Sequence, residues 1–142
     1  MSSDASRPAA LTDQVLSGMT RAQVKRVDDP GGLGRVPVLF QGDSGPLESD
    51  WLQVMSFYGG PDCGAFFLPE EGDSVLVALA DGNSKQGFVL GFLWSGNARP
   101  PVVDADRQQD VRTIKTRQGK QLIFDDSKDG QLTLIDEHQN TV

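Results

Sequence analysis

Two acidic clusters are the first places in this chain where chemistry could occur. Asp125 and Asp126 are adjacent, and paired carboxylates can exchange protons or bind a cation. Glu70, Glu71 and Asp73 form the second cluster, whose oxygens would suit calcium. However, the first pair stands at a strand end before the letters SKDG, and in the second cluster Pro69 precedes the carboxylates and Gly72 interrupts them. Both sequence contexts favour solvent-exposed turns over catalytic or cation-binding sites.

The chain has one cysteine and one histidine, so nucleophilic or metal chemistry has few residues to use. Cys63 would need a base to become a nucleophile, and His138, far away in sequence, is the one imidazole available. His138 follows Asp136 and Glu137, which suggests a metal site, but a solvated terminal segment is the preferred interpretation. We therefore expect no catalytic residue, no cofactor and no metal, and hence a protein that is not an enzyme.

Charge limits the possible partners. The 142 residues include 13 Lys and Arg against 20 Asp and Glu, giving a net charge of -7, which disfavours nucleic acid as a ligand. Four aromatic residues could stack bases on an oligonucleotide-binding fold: Trp51, Phe66, Phe67 and Trp94. Their placement within apolar stretches predicts instead that they lie in a core or an interface.

Residues 69–101 must organise any such fold, because they read as two apolar strands joined by a turn at Asp81-Gly82-Asn83. The first strand, VLVALA, is apolar on both faces, so we expect cover on both sides and the second layer from another subunit. In GFVLGFLW, strict alternation predicts a bulky inner face and a glycine-containing outer face. The inner set is Phe88, Leu90, Phe92 and Trp94, and the outer set is Gly87, Val89, Gly91 and Leu93.

The remaining strands are predicted at about residues 20–27, 35–40 and 51–57. Ala22 and Val24 should point inward, and Val36, Val38 and Phe40 should share one face. The glycine-rich segment that follows is predicted to be a loop whose apolar residues, 66–68, fold onto the core or onto a partner. Five strands with one long connection match an OB-type barrel.

Four segments result. Residues 1–18 should be a flexible tail, 19–97 the barrel, 98–110 a linker without periodicity, and 111–142 three short strands. Three short strands have little core of their own, so this last segment needs neighbours. No transmembrane run and no signal peptide are evident, which predicts synthesis in the cytoplasm.

Several motifs in order carry a family resemblance: DPGGLGRVPVLF, ESDWLQV, GAFFLPEEGDSVLVAL, DGN, GFVLGFLWSGNARPP and TRQGKQLIFDD. Together they resemble the spike of contractile tails, the family of phage baseplate assembly protein V and the gp5-like part of VgrG. The resemblance implies an all-β fold: a five-stranded OB-fold barrel followed by the start of an intertwined trimeric β-prism or β-helix.

The resemblance also implies a structural role in a phage tail, a tailocin, a type VI or an extracellular injection system. A homotrimer would cap the inner tube at the baseplate centre, contact the hub and tube proteins, and meet the target membrane only mechanically. After assembly into a baseplate it would reside in a virion tail or a secreted particle. Tentative subunit or hub contacts are Phe66, Phe67, Leu76, Ala78, Gly87, Gly91, Ile114, Leu122, Phe124, Leu132 and Leu134.

One departure concerns the tip. With His138 as its one histidine, the chain cannot build the histidine-bound iron tip of some relatives. A separate PAAR-like tip protein would complete the spike, or the sequence is a fragment. The alternative function is a free-standing OB-fold domain that binds an oligonucleotide or an oligosaccharide.

Overall fold

The computed structural model describes residues 18–42, 44–80 and 86–142. The chain divides between Leu93 and Trp94 into two compact units, which are described separately below. The predicted tail, except Gly18, and the predicted turn at Asp81-Gly82-Asn83 lie outside the described residues. No helix among the described residues is long and apolar enough to cross a membrane.

The N-terminal unit is built from β-strands. They are β1 (Gly18–Val24), β2 (Val38–Gly42), β3 (Gly45–Glu48), β4 (Gln53–Val54), β5 (Gly59–Gly60), β6 (Cys63–Gly64), β7 (Ser74–Leu79) and β8 (Gly87–Phe92). Six of them form one sheet in the order β3-β2-β1-β7-β8-β4, in which only the β4–β8 pair is parallel. β5 and β6 form a separate two-stranded ribbon. The domain is therefore all-β and OB-like, and β3 lies between the strands predicted at 35–40 and 51–57, where no strand was predicted.

An isolated bridge connects the residues that precede β2 and β4. Val36 and Leu52 exchange two backbone hydrogen bonds of 2.9 Å each. Nearby, the buried Ser49 hydroxyl accepts a hydrogen bond of 2.9 Å from the Val38 amide. Since β4 is the last strand in the sheet order and β2 is near the other end, the bridge brings these two parts of the sheet together.

The core follows from strand alternation, as predicted for the first strands. Ala22 and Val24 are buried on β1, and Val36, Val38 and Phe40 are at most 1% exposed. The other buried apolar residues are Leu52, Val75, Val77, Leu79 and Val89. Alternate residues of β7 supply three of them, so this strand has one fully buried face and one half-buried face.

The predicted faces of β8 are wrong, and a β-bulge explains the error. Val77 pairs with Val89, whereas Leu76 pairs with Gly91, so Leu90 is an extra residue on β8. Alternation shifts at the bulge, and Val89 and Gly87 point into the core while Phe88 lies outside with 47% exposure. Phe92 pairs with core residue Val75 but remains 50% exposed, and Trp94 is 65% exposed.

The C-terminal unit contains helix α1 (Ala105–Asp110) and strands β9 (Val111–Lys115), β10 (Gln121–Asp125) and β11 (Leu132–Ile135). The helix lies within the stretch 98–110, which was predicted to be a linker without periodicity. The Asp104 carboxylate caps it by accepting from the Asp106 amide at 2.9 Å, and six residues are too few to show a helical period.

The three strands form an antiparallel meander in the order β11-β10-β9. Residues beyond β11 add to its free edge. Ile135 forms a bridge with Thr141, and the Val142 amide donates to the Leu134 carbonyl at 2.9 Å. The three short strands predicted in residues 111–142 are therefore present, with the start of further pairing after β11.

Candidate interaction surfaces

One face of the meander in the C-terminal unit carries a set of neighbouring apolar side chains. The strand register places Ile114, Leu122 and Leu134 in one cross-strand row, and Phe124 beside Leu132 in the next. We call this set the apolar meander face. Four of its members are 45–64% exposed in the single chain. Five residues predicted as contacts thus share one face of the meander.

The other face of the meander has a different environment. Ile123 pairs with Thr113 and Thr133 there. A groove of about 320 Å³ runs between this face and the segment that leads into α1, where it is lined by Val102, Val103 and Arg107 among others. Since Ile123 and Thr113 also line the groove, this face has partial cover within its own unit, in contrast to the apolar meander face.

The predicted contacts of the N-terminal unit fall in different environments. Leu76 and Ala78 are half-buried on the outer side of β7. Gly91 lies on the same side, beside Leu76, with no atom within 4 Å of where a Cβ would stand. Gly87 is buried, and a Cβ there would lie 2.5 Å from Leu79 Cδ2. The glycine therefore allows close packing within the unit, which corrects its predicted outward placement.

The segment after β4 is an ordered ribbon, whereas the sequence predicted a loop. Pro61 and Asp62 form its turn, with Asp62 at a φ of 58°. The Ser56 hydroxyl donates to the Ala65 carbonyl at 2.6 Å, and the Ala65 amide donates to the Tyr58 carbonyl at 2.9 Å. These bonds fix the base of the ribbon. The dense glycines and the Pro-Asp pair are the signal that could have identified this hairpin.

The aromatic side chains of this ribbon project into solvent. We call residues 55–67 the aromatic ribbon. Phe66 and Phe67, which were expected to fold onto the core or onto a partner, are 77% and 53% exposed. Phe57 is 86% exposed and Tyr58 59%, and sequence reasoning did not single out either one. The core alternative is wrong for these residues, and cover by a partner stays a prediction.

A buried carboxylate organises the loop between β1 and β2. Asp29, whose side chain is 4% exposed, makes two hydrogen bonds of 2.9 Å with the Arg35 guanidinium. It also accepts from the amides of Gly31 and Leu33. The Arg35 side chain, followed by these amides, holds the pKa of Asp29 well below its usual range. The pair is structural, because the carboxylate is saturated with partners.

The acidic pairs considered for chemistry have structural partners as well. Asp125 accepts from the Ser127 amide and from Arg107, both at 2.9 Å. The Ser127 side chain, followed by Arg107 and the Ser127 amide, lowers the pKa of Asp125 to about 2. Asp136 accepts from Asn140 and from the His138 amide, which lowers its pKa. Among the described residues, no group of three or more His, Cys, Asp or Glu is placed to hold a metal.

The two single reactive residues are on the surface, and each lies in its own unit. Cys63 is exposed on the ribbon, and its Sγ atom lies 4.0 Å from the Tyr58 hydroxyl. His138 is exposed in the turn after β11, where its backbone amide, not its ring, makes the hydrogen bond given above. Neither contact activates a nucleophile.

Trp51 is the predicted stacking residue with a defined neighbour. The Arg26 guanidinium carbon lies 4.9 Å from the centre of its ring, a cation–π arrangement. Arg26 in turn pairs with Asp28 at 3.2 Å and with Glu48 at 3.8 Å. An internal cation therefore occupies a position over the ring that a base or a sugar would use.

The structure thus combines an OB-like all-β domain with a meander that exposes one apolar face. This architecture is that of a component of a larger assembly. Comparison with known proteins identifies the family. The model described as the type VI secretion system/phage-baseplate injector OB domain matches residues 20–94, and this chain belongs to that family. The resemblance seen in the sequence motifs is confirmed.

Two curated relatives come from Pseudomonas aeruginosa. They are the type VI secretion system spike proteins VgrG2a and VgrG2b, and this chain is 30% identical to each over 125 residues. The aligned region covers 80% of this chain, but only 14% of the first relative and 12% of the second. The chain thus spans a small part of these spike proteins, and it is similar to them as a spike component.

Proposed function

We propose that this chain is a structural component of the spike and hub of a contractile injection machine, and that it acts as a homotrimer. The apolar meander face carries the proposal. Its exposed leucines, isoleucine and phenylalanine would be covered if three chains packed these faces around one axis. Membership in the injector OB-domain family supports the same interpretation.

In this arrangement the six-stranded sheet of the N-terminal unit closes into an OB-type barrel at the base of the spike, and the meander begins a trimeric β-prism. The part of the β11 edge that Thr141 and Val142 do not pair with would then find pairing in the assembly. The trimer would cap the inner tube, contact the hub and tube proteins, carry a separate PAAR-like tip, and enter the target membrane by force. It would be made in the cytoplasm and later reside in a tail or an extracellular particle, without enzymatic activity.

Neighbouring residues on β9 provide a matched test of the trimer. Ile114 and Lys115 are adjacent and both exposed, but only Ile114 belongs to the apolar meander face. We expect Ile114→Ser to reduce the fraction of trimer in multi-angle light scattering, whereas Lys115→Ser leaves it unchanged. Equal behaviour of the two variants, or a wild-type chain that stays monomeric, would refute the proposal.

A further inference from the structure

The aromatic ribbon carries an inference that the proposed trimer does not include. We infer that the aromatic ribbon is a docking site for a different protein, one that presents an apolar pocket with a basic rim. The first support is exposure. Phe57, Tyr58 and Phe66 are each more than half exposed, and so is Met55 at 60%. A soluble surface seldom leaves so much adjacent apolar area uncovered without a partner.

The ribbon is also organised before any partner arrives. Ser56 bonds both the Tyr58 and the Ala65 carbonyls through its hydroxyl, at 3.0 and 2.6 Å. At Gly64 a side chain would collide with the Tyr58 carbonyl oxygen at 2.7 Å, so the two sides of the ribbon are in close contact. A fixed scaffold lowers the entropy that binding must remove, and aromatic side chains with few rotamers suit a binding hot spot.

Charge identifies the chemistry of the partner. Residues 36–84 contain no Lys, Arg or His, but they contain eight carboxylates: Asp43, Glu48, Asp50, Asp62, Glu70, Glu71, Asp73 and Asp81. The chain therefore contributes negative charge alone on either side of the ribbon in sequence. A partner with Lys and Arg around an apolar pocket would be attracted and oriented by this charge.

Of the cations that precede this stretch, Lys25 and Arg26 offset one of its eight carboxylates, Glu48, and the other seven belong to the negative side of the balance. Arg35 is held by Asp29 at 2.9 Å, and Lys25 pairs with Glu48 at 3.6 Å. Arg26 is shared between Glu48, Asp28 and the Trp51 ring. The charge also argues against two alternative occupants. A second copy would bring the same negative charge to the ribbon, and anionic lipid headgroups would repel it.

The probe is a short lysine–leucine peptide, with a glutamate–leucine peptide of the same pattern as its charge control. Both are titrated into the full chain under reducing conditions while backbone amide shifts are recorded. We expect the lysine–leucine peptide to bind, to shift amides of residues 55–67, and to weaken at least about tenfold near 1 M salt, where the Debye length is about 3 Å. The glutamate–leucine peptide should not bind.

Variants then test whether the aromatic rings carry the binding. Phe57→Ser with Phe66→Ser should weaken the lysine–leucine peptide at least about tenfold, the scale of hot-spot losses. Both side chains are more than 75% exposed, so the fold should persist, which the amide spectrum verifies. Met19→Ser is the matched control, since Met19 is 67% exposed outside the ribbon and should leave binding unchanged.

Four results would overturn the inference. They are equal binding of the two peptides, shifts confined to residues outside the ribbon, unchanged binding by the Phe57/Phe66 double variant, and no binding of the lysine–leucine peptide. The mass of the chain in the same sample separates this inference from the trimer. A monomer that binds the peptide through its ribbon contradicts the proposed function and leaves the docking site in place.

Discussion

A side chain added at position 87 should destabilise the N-terminal unit, because that glycine faces the core. A Cβ on Gly87 would meet Leu79 Cδ2 at 2.5 Å and the Ala78 carbonyl oxygen at 2.9 Å. The second contact is with backbone, so a rotamer change cannot relieve it. Overpacking of this kind costs about 1–3 kcal/mol, while Gly to Ala in a strand gains about 0.5–1 kcal/mol. Gly87→Ala should therefore lose up to about 2.5 kcal/mol of unfolding free energy.

Gly91 on the same strand is the matched control. No atom lies within 4 Å of the position of a Cβ at residue 91. Gly91→Ala should therefore show only the gain of about 0.5–1 kcal/mol in unfolding free energy that replacing a glycine within a strand provides. The difference between the two variants isolates the steric contact, and it should equal about 1–3 kcal/mol. Urea unfolding of both variants at one protein concentration measures this difference in unfolding free energy. Each kcal/mol corresponds to about 4–8 °C in Tm for a unit of this size.

A specific pattern would refute this reasoning. If Gly87→Ala were as stable as Gly91→Ala, position 87 would have to face outward, as strict alternation of the sequence suggested. The bulge at Leu90 would then be misplaced, and the placement of Phe88 on the outer surface would also be wrong.

Three further outcomes are expected. Asp29→Asn should lower Tm, because it removes the charge that Arg35 and the loop amides hold. The depressed pKa of Asp29 means that its stabilising contribution is present above the ordinary carboxyl pKa and lost as pH falls through the folded value, so the variant should lose this acid dependence. Leu52→Ala should cost about 2–5 kcal/mol in urea unfolding, since Leu52 is 0% exposed. Arg107→Gln should raise the Asp125 pKa from about 2, as measured by carboxyl NMR titration, because one of its two main partners is lost.

Each of these outcomes has a result that would contradict it. An Asp29→Asn variant with wild-type Tm and the same acid transition would show that the ion pair does not hold the loop. A loss below about 1 kcal/mol at Leu52 would be inconsistent with a filled core. An unchanged titration of Asp125 in Arg107→Gln would mean that its 2.9 Å contact does not persist in solution.

The parts of the fold that could be predicted are those where alternation is regular. Val36, Val38 and Phe40 are all buried, as predicted from their alternation, although Pro37 between the first two is buried as well. The five residues of the apolar meander face likewise share a face, because β10 and β11 each carry two apolar side chains two residues apart and Ile114 pairs with the first of them on β10. An alternation of period two was enough to predict which residues share a face where no inserted residue interrupted the strand.

Other parts of the fold could not be predicted from the sequence, because no local residue pattern determines them. A single extra residue, Leu90, inverts the faces of β8, and no residue type marks it in an apolar run. The six-residue helix α1 is shorter than two full turns, so only the Asp104 cap could have indicated it. Residues 66–68 of this segment are predicted to contact the core or a partner, because exposed phenylalanines are unusual. The hairpin of the aromatic ribbon is difficult to recognise in the sequence, because its two strands have only two residues each.

The mass of the unmodified full chain in solution tests the central claim most directly. Sedimentation velocity over a range of concentrations would provide it under native conditions. The proposed packing of three apolar meander faces predicts a species with three times the 15.3 kDa chain mass, stable on dilution. A species that stays at 15.3 kDa at every concentration would contradict the proposed trimer.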